Sequence, residues 1–165
     1  MAHRTTIPLD DLDRKLLDML QQDAGRTLYE LGDAVGLSPS AVQRRLARYR
    51  SSGLIARQIA VLDPGAVPGT VLACVLITLE RESKRHHAAF QERMRTAPEV
   101  QQCYDLAGEH DYVAIFATSS LARCRAAIDE LLMGAPNVKR FETLFVFDTI
   151  KSGLSIPLQQ PRRQR

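Results

Sequence analysis

The apolar residues of the first sixty positions recur at helical spacing. Leu12, Leu16, Leu17 and Leu20 form one stripe and predict a helix from Asp10 to about Asp23. Leu28, Leu31 and Val35 form a second stripe. Thr27 and Glu30 make a capping box in front of it, and Gly36 suits the left-handed conformation that ends such a helix. Ser38 is then an N-cap and Pro39 a first-turn proline, so a third helix starts at once. On that helix Val42, Leu46 and Tyr49 fall on one side. Ser40, Gln43, Arg44, Ala47 and Ser51 fall on the other, with Arg48 at its edge. Two helices joined by a tight turn with glycine form a helix-turn-helix arrangement. Leu54-Ile55 and Arg57–Leu62 predict a short strand or wing, and residues 64–69, rich in proline and glycine, a hinge.

Beyond residue 70 the period changes. Thr70–Glu80, Val100–Ala107, Tyr112–Thr118 and Val138–Phe147 read as strands. His86–Ala97 reads as a helix with Phe90 and Met94 inward. Ser120–Met133 reads as another, with Leu121, Cys124, Ile128 and Leu131 or Leu132 on its buried side. The order βαββαβ is the ferredoxin-like pattern, so the expected class is α+β. The expected organisation is a winged helix-turn-helix over 1–63, a hinge over 64–69, a ferredoxin-like domain over 70–152 and a basic, disordered tail over 153–165. Alternate positions on both faces of the strands are apolar, yet two helices cover only one face of such a sheet. The uncovered face predicts a two-fold dimer packed sheet to sheet.

Charge sharpens the picture of the third helix. The net charge of the 165 residues is only +3, but this helix carries four arginines and no acid. Arginine can pair bidentately with guanine and glutamine with adenine, while small Ser40 and Ala47 let a helix approach base edges closely. Arg45 and Arg50 flank the stripe, where phosphates would lie. A merely solvated basic helix would share the charge but has no need of both caps and the turn in register. The expected DNA-facing residues are therefore Ser38, Ser40, Gln43, Arg44, Arg45, Ala47 and Arg48, on double-stranded DNA. Cys74, Cys103 and Cys124 have no CxxC spacing and fit reduced thiols. His86 and His87 are adjacent, point about 100° apart on a helix and make a poor chelate. No metal and no other cofactor are expected. No membrane partner is expected either, since the longest apolar run, Val71 to Leu79, is too short to span a bilayer.

With these residues in hand, the chain resembles the leucine-responsive/AsnC family of transcription regulators over roughly Leu9 to Pro157. The resemblance rests on the stretch from Leu9 to Ile55, on GEHDY at 108–112, and on the stretch from Ala135 to Gly153. It implies a regulator that is not an enzyme, is cytoplasmic and nucleoid-associated, and whose C-terminal domain senses an amino acid or related metabolite. It also implies homodimers that assemble further, commonly into octamers or other rings. By composition alone GEHDY is an ordinary turn. In the family the region forms the effector site at the contact between dimers. Gly108 would then permit the tight turn, Asp111 pair with an ammonium group, and Thr143 offer a hydroxyl. Tyr112, Met133 and Phe145 would line an apolar pocket, and His110 stands where the family often has an aromatic. Some relatives decarboxylate a haem precursor with His and Tyr, for which Tyr104, His110 and Tyr112 would be the residues here. An architectural DNA-binding protein without effector is the third reading.

Overall fold

In a computed structural model, residues 7–81 and 83–158 are described, and the chain forms two compact units. Among the described residues, the first comprises 7–60 and 151–158, the second 61–150. The first unit holds α1 (Asp11–Gln22), α2 (Leu28–Val35) and α3 (Pro39–Ser51). α2 and α3 begin where the sequence places their caps, and α1 follows a cap of its own. Asp10 and Asp13 form a capping box on α1, Thr27 and Glu30 a second on α2, and Ser38 accepts from the Ala41 amide ahead of α3. Gly36 ends α2 with φ 71°, in the left-handed region where a side chain is strained. Leu16, Leu17, Leu31, Val42, Leu46 and Tyr49 are the buried core, as the stripes predict.

Two expectations are corrected. Residues 56–63 form no strand, and Ile59, Val61 and Leu62 stand exposed. A single extended segment makes no ladder bonds without a neighbouring strand edge. The start of the tail, residues 153–158, is not loose. The Ile156 amide donates to Gln21 Oε1 at 2.6 Å, Gln21 Nε2 donates back to the Ile156 carbonyl at 3.0 Å, and Leu158 packs against the helical core. One amide side chain thus satisfies a backbone donor and acceptor together. The expected basic end, 159–165, lies outside the described residues.

The second unit has β1 (Val71–Leu79), α4 (Lys84–Thr96), β2 (Val100–Asp105), β3 (Tyr112–Thr118), α5 (Leu121–Ile128) and β4 (Val138–Phe145). A short 3-10 turn at Pro64–Ala66, capped by Asp63, precedes β1. The strands lie in the order β2-β3-β1-β4, all antiparallel. This is the ferredoxin-like arrangement. Val75, Ile77, Tyr112 and Phe116 point to the helices and meet Phe90, Met94, Cys124 and Ile128 in the core. Leu121, expected inward, is 59% exposed, because Cys124, Ala127 and Ile128 carry the packed stripe. Beyond α5 the helix widens into one π turn, Asp129–Met133, and Leu132 is the residue it buries. The opposite face presents Leu72, Cys74, Leu76, Val113 and Ile115, all partly exposed, flanked by the more open Tyr104, Leu144 and Val146.

Candidate nucleic-acid interface and effector turn

The exposed side of α3 is the one that its periodicity predicts. Ser38, Ser40, Gln43, Arg44, Ala47 and Arg48 are exposed, and Val42, Leu46 and Tyr49 are buried beneath them. Ser38 Oγ caps the helix and lies 3.1 Å from Ser40 Oγ. Arg44 and Gln43 make no side-chain hydrogen bond or ion pair among the described residues, so their donors face outward. Arg44, Arg45 and Arg48 line one shallow concavity.

Arg45 departs from its expected place among the phosphate contacts. Its side chain is only 22% exposed, and its guanidinium is held by Asp10 at 2.9 Å and by Asp13 at 2.5 Å. The two carboxylates raise its pKa, Asp10 first. The periodicity puts Arg45 beside the buried stripe, and two acids on α1 draw it inward. Arg48 is shared. One edge donates to Asp13 at 2.5 Å, and the guanidinium carbon lies 5.5 Å from the centre of the Tyr49 ring.

Asp13 is the residue that sequence reasoning missed. It is 1% exposed. Burial works against its charged form, but donors from Tyr49, the Asp10 amide, Arg45 and Arg48 outweigh that and lower its pKa to about 2. Burial and the same carboxylate push the Tyr49 phenol up. A signal was present: Asp13 lies three and four residues before Leu16 and Leu17, on the apolar stripe of α1, where a lone charge requires partners.

The turn at 108–112 is tied down by the backbone and side chain of Asp111. The Asp111 amide donates to the Ile77 carbonyl at 3.0 Å, and Asp111 Oδ2 accepts from the Leu79 amide at 2.6 Å. The β1–β4 register slips between Thr78 and Leu79, and Asp111 takes the amide at that slip. His110 Nδ1 and Arg140 Nε each lie 3.4 Å from Thr78 Oγ1, and Arg140 pairs with Glu109 at 3.1 Å. Gly108 departs from expectation. It has no positive φ, and an added Cβ would meet nothing within 4 Å, so the turn does not require glycine there.

The remaining candidates do not all converge on Asp111. Tyr112 is 1% exposed under α4, where its hydroxyl lies 2.7 Å from His87 Nδ1 and accepts from Gln91 at 3.1 Å, so it does not line an open pocket. The alternation of β3 turns it to the helix side. Thr143 and Phe145 share that side of β4, opposite Val75 and Ala73. They lie roughly 7 and 13 Å along the strand from the Ile77–Phe141 pair beside Asp111. Phe145 is 46% and Met133 71% exposed. Tyr104 points to the other face from Tyr112, so the pair that the decarboxylase reading would use is split across the sheet. His86 lies 2.6 Å from Ser83 Oγ, so the two adjacent histidines are engaged separately. No described helix is long and apolar enough to cross a membrane.

Two family models match the chain: the AsnC-type helix-turn-helix domain over residues 9–50 and the Lrp/AsnC ligand binding domain over residues 72–156. An HTH-type transcriptional regulator of Haemophilus influenzae is 32% identical over 150 residues, covering 91% of this chain and 89% of its own. The leucine-responsive regulatory protein of Klebsiella pneumoniae is 30% identical over 143 residues, covering 87% of each. Among solved structures, a transcriptional regulator of Neisseria meningitidis in complex with L-Met superposes with a TM-score of 0.81 at 30% identity. It covers 92% of this chain and 97% of that one.

Proposed function

Because the chain belongs to the Lrp/AsnC family of transcriptional regulators, we propose that α3 reads operator DNA in the major groove, under control of an amino-acid-like effector bound around the turn at 108–112. The observation that carries the DNA reading is the face of α3. Its exposed side is amide, guanidinium and small side chains, on a helix whose other side is locked into a three-helix core. Gln43 and Arg44 are the base-reading residues, with Ser40 and Ala47 allowing close approach. Ser38 and the outer edge of Arg48 serve the backbone. Acting on operator DNA puts the protein in the cytoplasm, with the nucleoid.

The effector reading rests on Asp111. Its Oδ2 is engaged by the Leu79 amide, which leaves Oδ1 for a ligand's ammonium group, beside His110. Thr143, Phe145 and Met133 present a hydroxyl and apolar surface on the same unit, for a site completed by another copy. The apolar outer face of the sheet supports a dimer packed sheet to sheet, and the resemblance supports octamers or other rings of such dimers. An effector favouring one assembly would change the spacing of the DNA-binding units.

Two variants test this reading. Arg44→Ala should weaken binding to a selected operator by about 1–3 kcal/mol and relax preference at one base position. An unchanged preference would remove Arg44 from the reading. For the effector, calorimetry against the twenty amino acids identifies the best binder. Asp111→Asn keeps an oxygen for the Leu79 amide and loses the charge. It should abolish that binding and the DNA response to it, while effector-free DNA binding persists. Wild-type affinity in the variant would make Asp111 a turn residue only.

A further inference from the structure

The contacts of Asp13 go beyond holding two helices together. A carboxylate has about four acceptor positions. Here all four are filled, two on each oxygen. Oδ1 accepts from Arg45 at 2.5 Å and from the Tyr49 hydroxyl at 2.5 Å. Oδ2 accepts from Arg48 at 2.5 Å and from the Asp10 amide at 3.1 Å. Three of the four donors belong to α3, at positions 45, 48 and 49, which lie on one side of a helix. Three donors converging on one buried point leave the helix little freedom to rotate about its own axis. They also decide how its cations are shared. Arg45 is taken by Asp10 and Asp13, and Arg48 is taken along one edge. Of the four arginines, Arg44 has no acidic partner among the described residues, and Arg50 bonds only the neutral Gln58, at 3.3 Å.

We propose that Asp13, buried away from the DNA-facing surface, is the positioning residue that decides which arginines of α3 reach DNA. It fixes the rotation of the helix and withholds Arg45 and the inner edge of Arg48, so that Arg44 and the outer edge of Arg48 meet the duplex. This rests on the reading of α3 as the base-reading helix. Specificity depends on a bidentate side chain arriving at a defined angle, whereas any free guanidinium near a phosphate adds affinity for every sequence. By spending two α3 cations internally, Asp13 suppresses the unspecific contribution and orients the specific one.

The test uses the full-length protein, a duplex selected by the wild type from a random pool, and the unselected pool itself. Affinities are measured across a range of salt concentrations. Asp13→Asn keeps the side-chain shape but loses the charge that holds Arg45 and Arg48. The selected-to-random affinity ratio should fall about tenfold. The salt slope on the random pool should steepen by about one unit, as a released arginine finds a phosphate. A merely smaller folded fraction would lower both affinities alike and move neither the ratio nor the slope. Arg45→Gln should leave the random-pool slope at the wild-type value, because that guanidinium is already neutralised. A slope flattened by about one unit would make Arg45 a phosphate contact and overturn the proposal. So would a folded Asp13→Asn protein with ratio and slope unchanged. If Asp13→Asn does not fold, Tyr49→Phe removes one of the three α3 donors more gently. It should lower the ratio about threefold, and an unchanged ratio would overturn the proposal in that case. Arg44→Ala separates the two readings. If it lowers the ratio while Asp13→Asn does not, only the positioning role falls. If neither does, α3 is not the reader, and both fall together.

Discussion

A single carboxylate ties the stability of the DNA-binding unit to acid. Asp13 has an ordinary value of 3.8 and is held at about 2 in the fold. Its pKa is depressed on folding. The stabilisation is therefore complete well above pH 4 and is lost as pH falls toward 2. The gap corresponds to about 2 kcal/mol, roughly half of it gone by pH 3. Urea unfolding followed by helical circular dichroism at pH 6 and pH 3 should show the wild type losing about 1 kcal/mol more than Asp13→Asn over that interval. Equal losses would mean that Asp13 does not carry the acid sensitivity.

At the level of elements, the helix-turn-helix depends on close approach more than on flexibility. Gly32 is buried in α2, and a Cβ there would stand 2.4 Å from the Leu37 carbonyl oxygen in the turn before α3. That oxygen belongs to the backbone and cannot swing away, so a side chain at 32 must push the turn and α3 off the core. Gly32→Val should cost about 1–3 kcal/mol or more. Gly108 makes the contrast. Gly108→Ala should leave stability unchanged or slightly raised, since the substitution mainly restricts the unfolded chain. Thermal unfolding of both variants checks the pair. A strongly destabilised Gly108→Ala protein would show that the turn uses its glycine after all.

For the whole molecule, the proposed assembly rests on the uncovered sheet face. Leu72, Cys74 and Leu76 run down β1, flanked by Val113 and Ile115 on β3 and by Leu144 on β4. The unit that should carry this dimerisation is 61–150, because residues 151–158 belong with the helical unit. Expressed alone, residues 61–150 should give at least a dimer in light scattering at micromolar concentration. Leu76→Lys, which puts a charge in the middle of the apolar face, should shift it to monomer. A monomeric wild-type fragment would remove this face from the assembly.

Much of this was legible from residues close together in the chain. Capping boxes join positions three apart, strand alternation has a period of two, and helix stripes repeat every three or four residues. Short-range geometry therefore determined α1 to α5 and β1 to β4 among the described residues, the stop at Gly36 and the buried side of α3. Tertiary structure decided the partners. Asp13 finds Arg45, Arg48 and Tyr49 across 32 to 36 positions, Tyr112 turns to His87 and Gln91, and Ile156 returns to Gln21 across 135. Periodicity assigns a side chain to a face of its own element. It does not say which donor from a distant element will be waiting there. For that reason the sequence alone identified a basic helix suited to DNA, while only the packed fold decided which of its arginines are held by acids of α1.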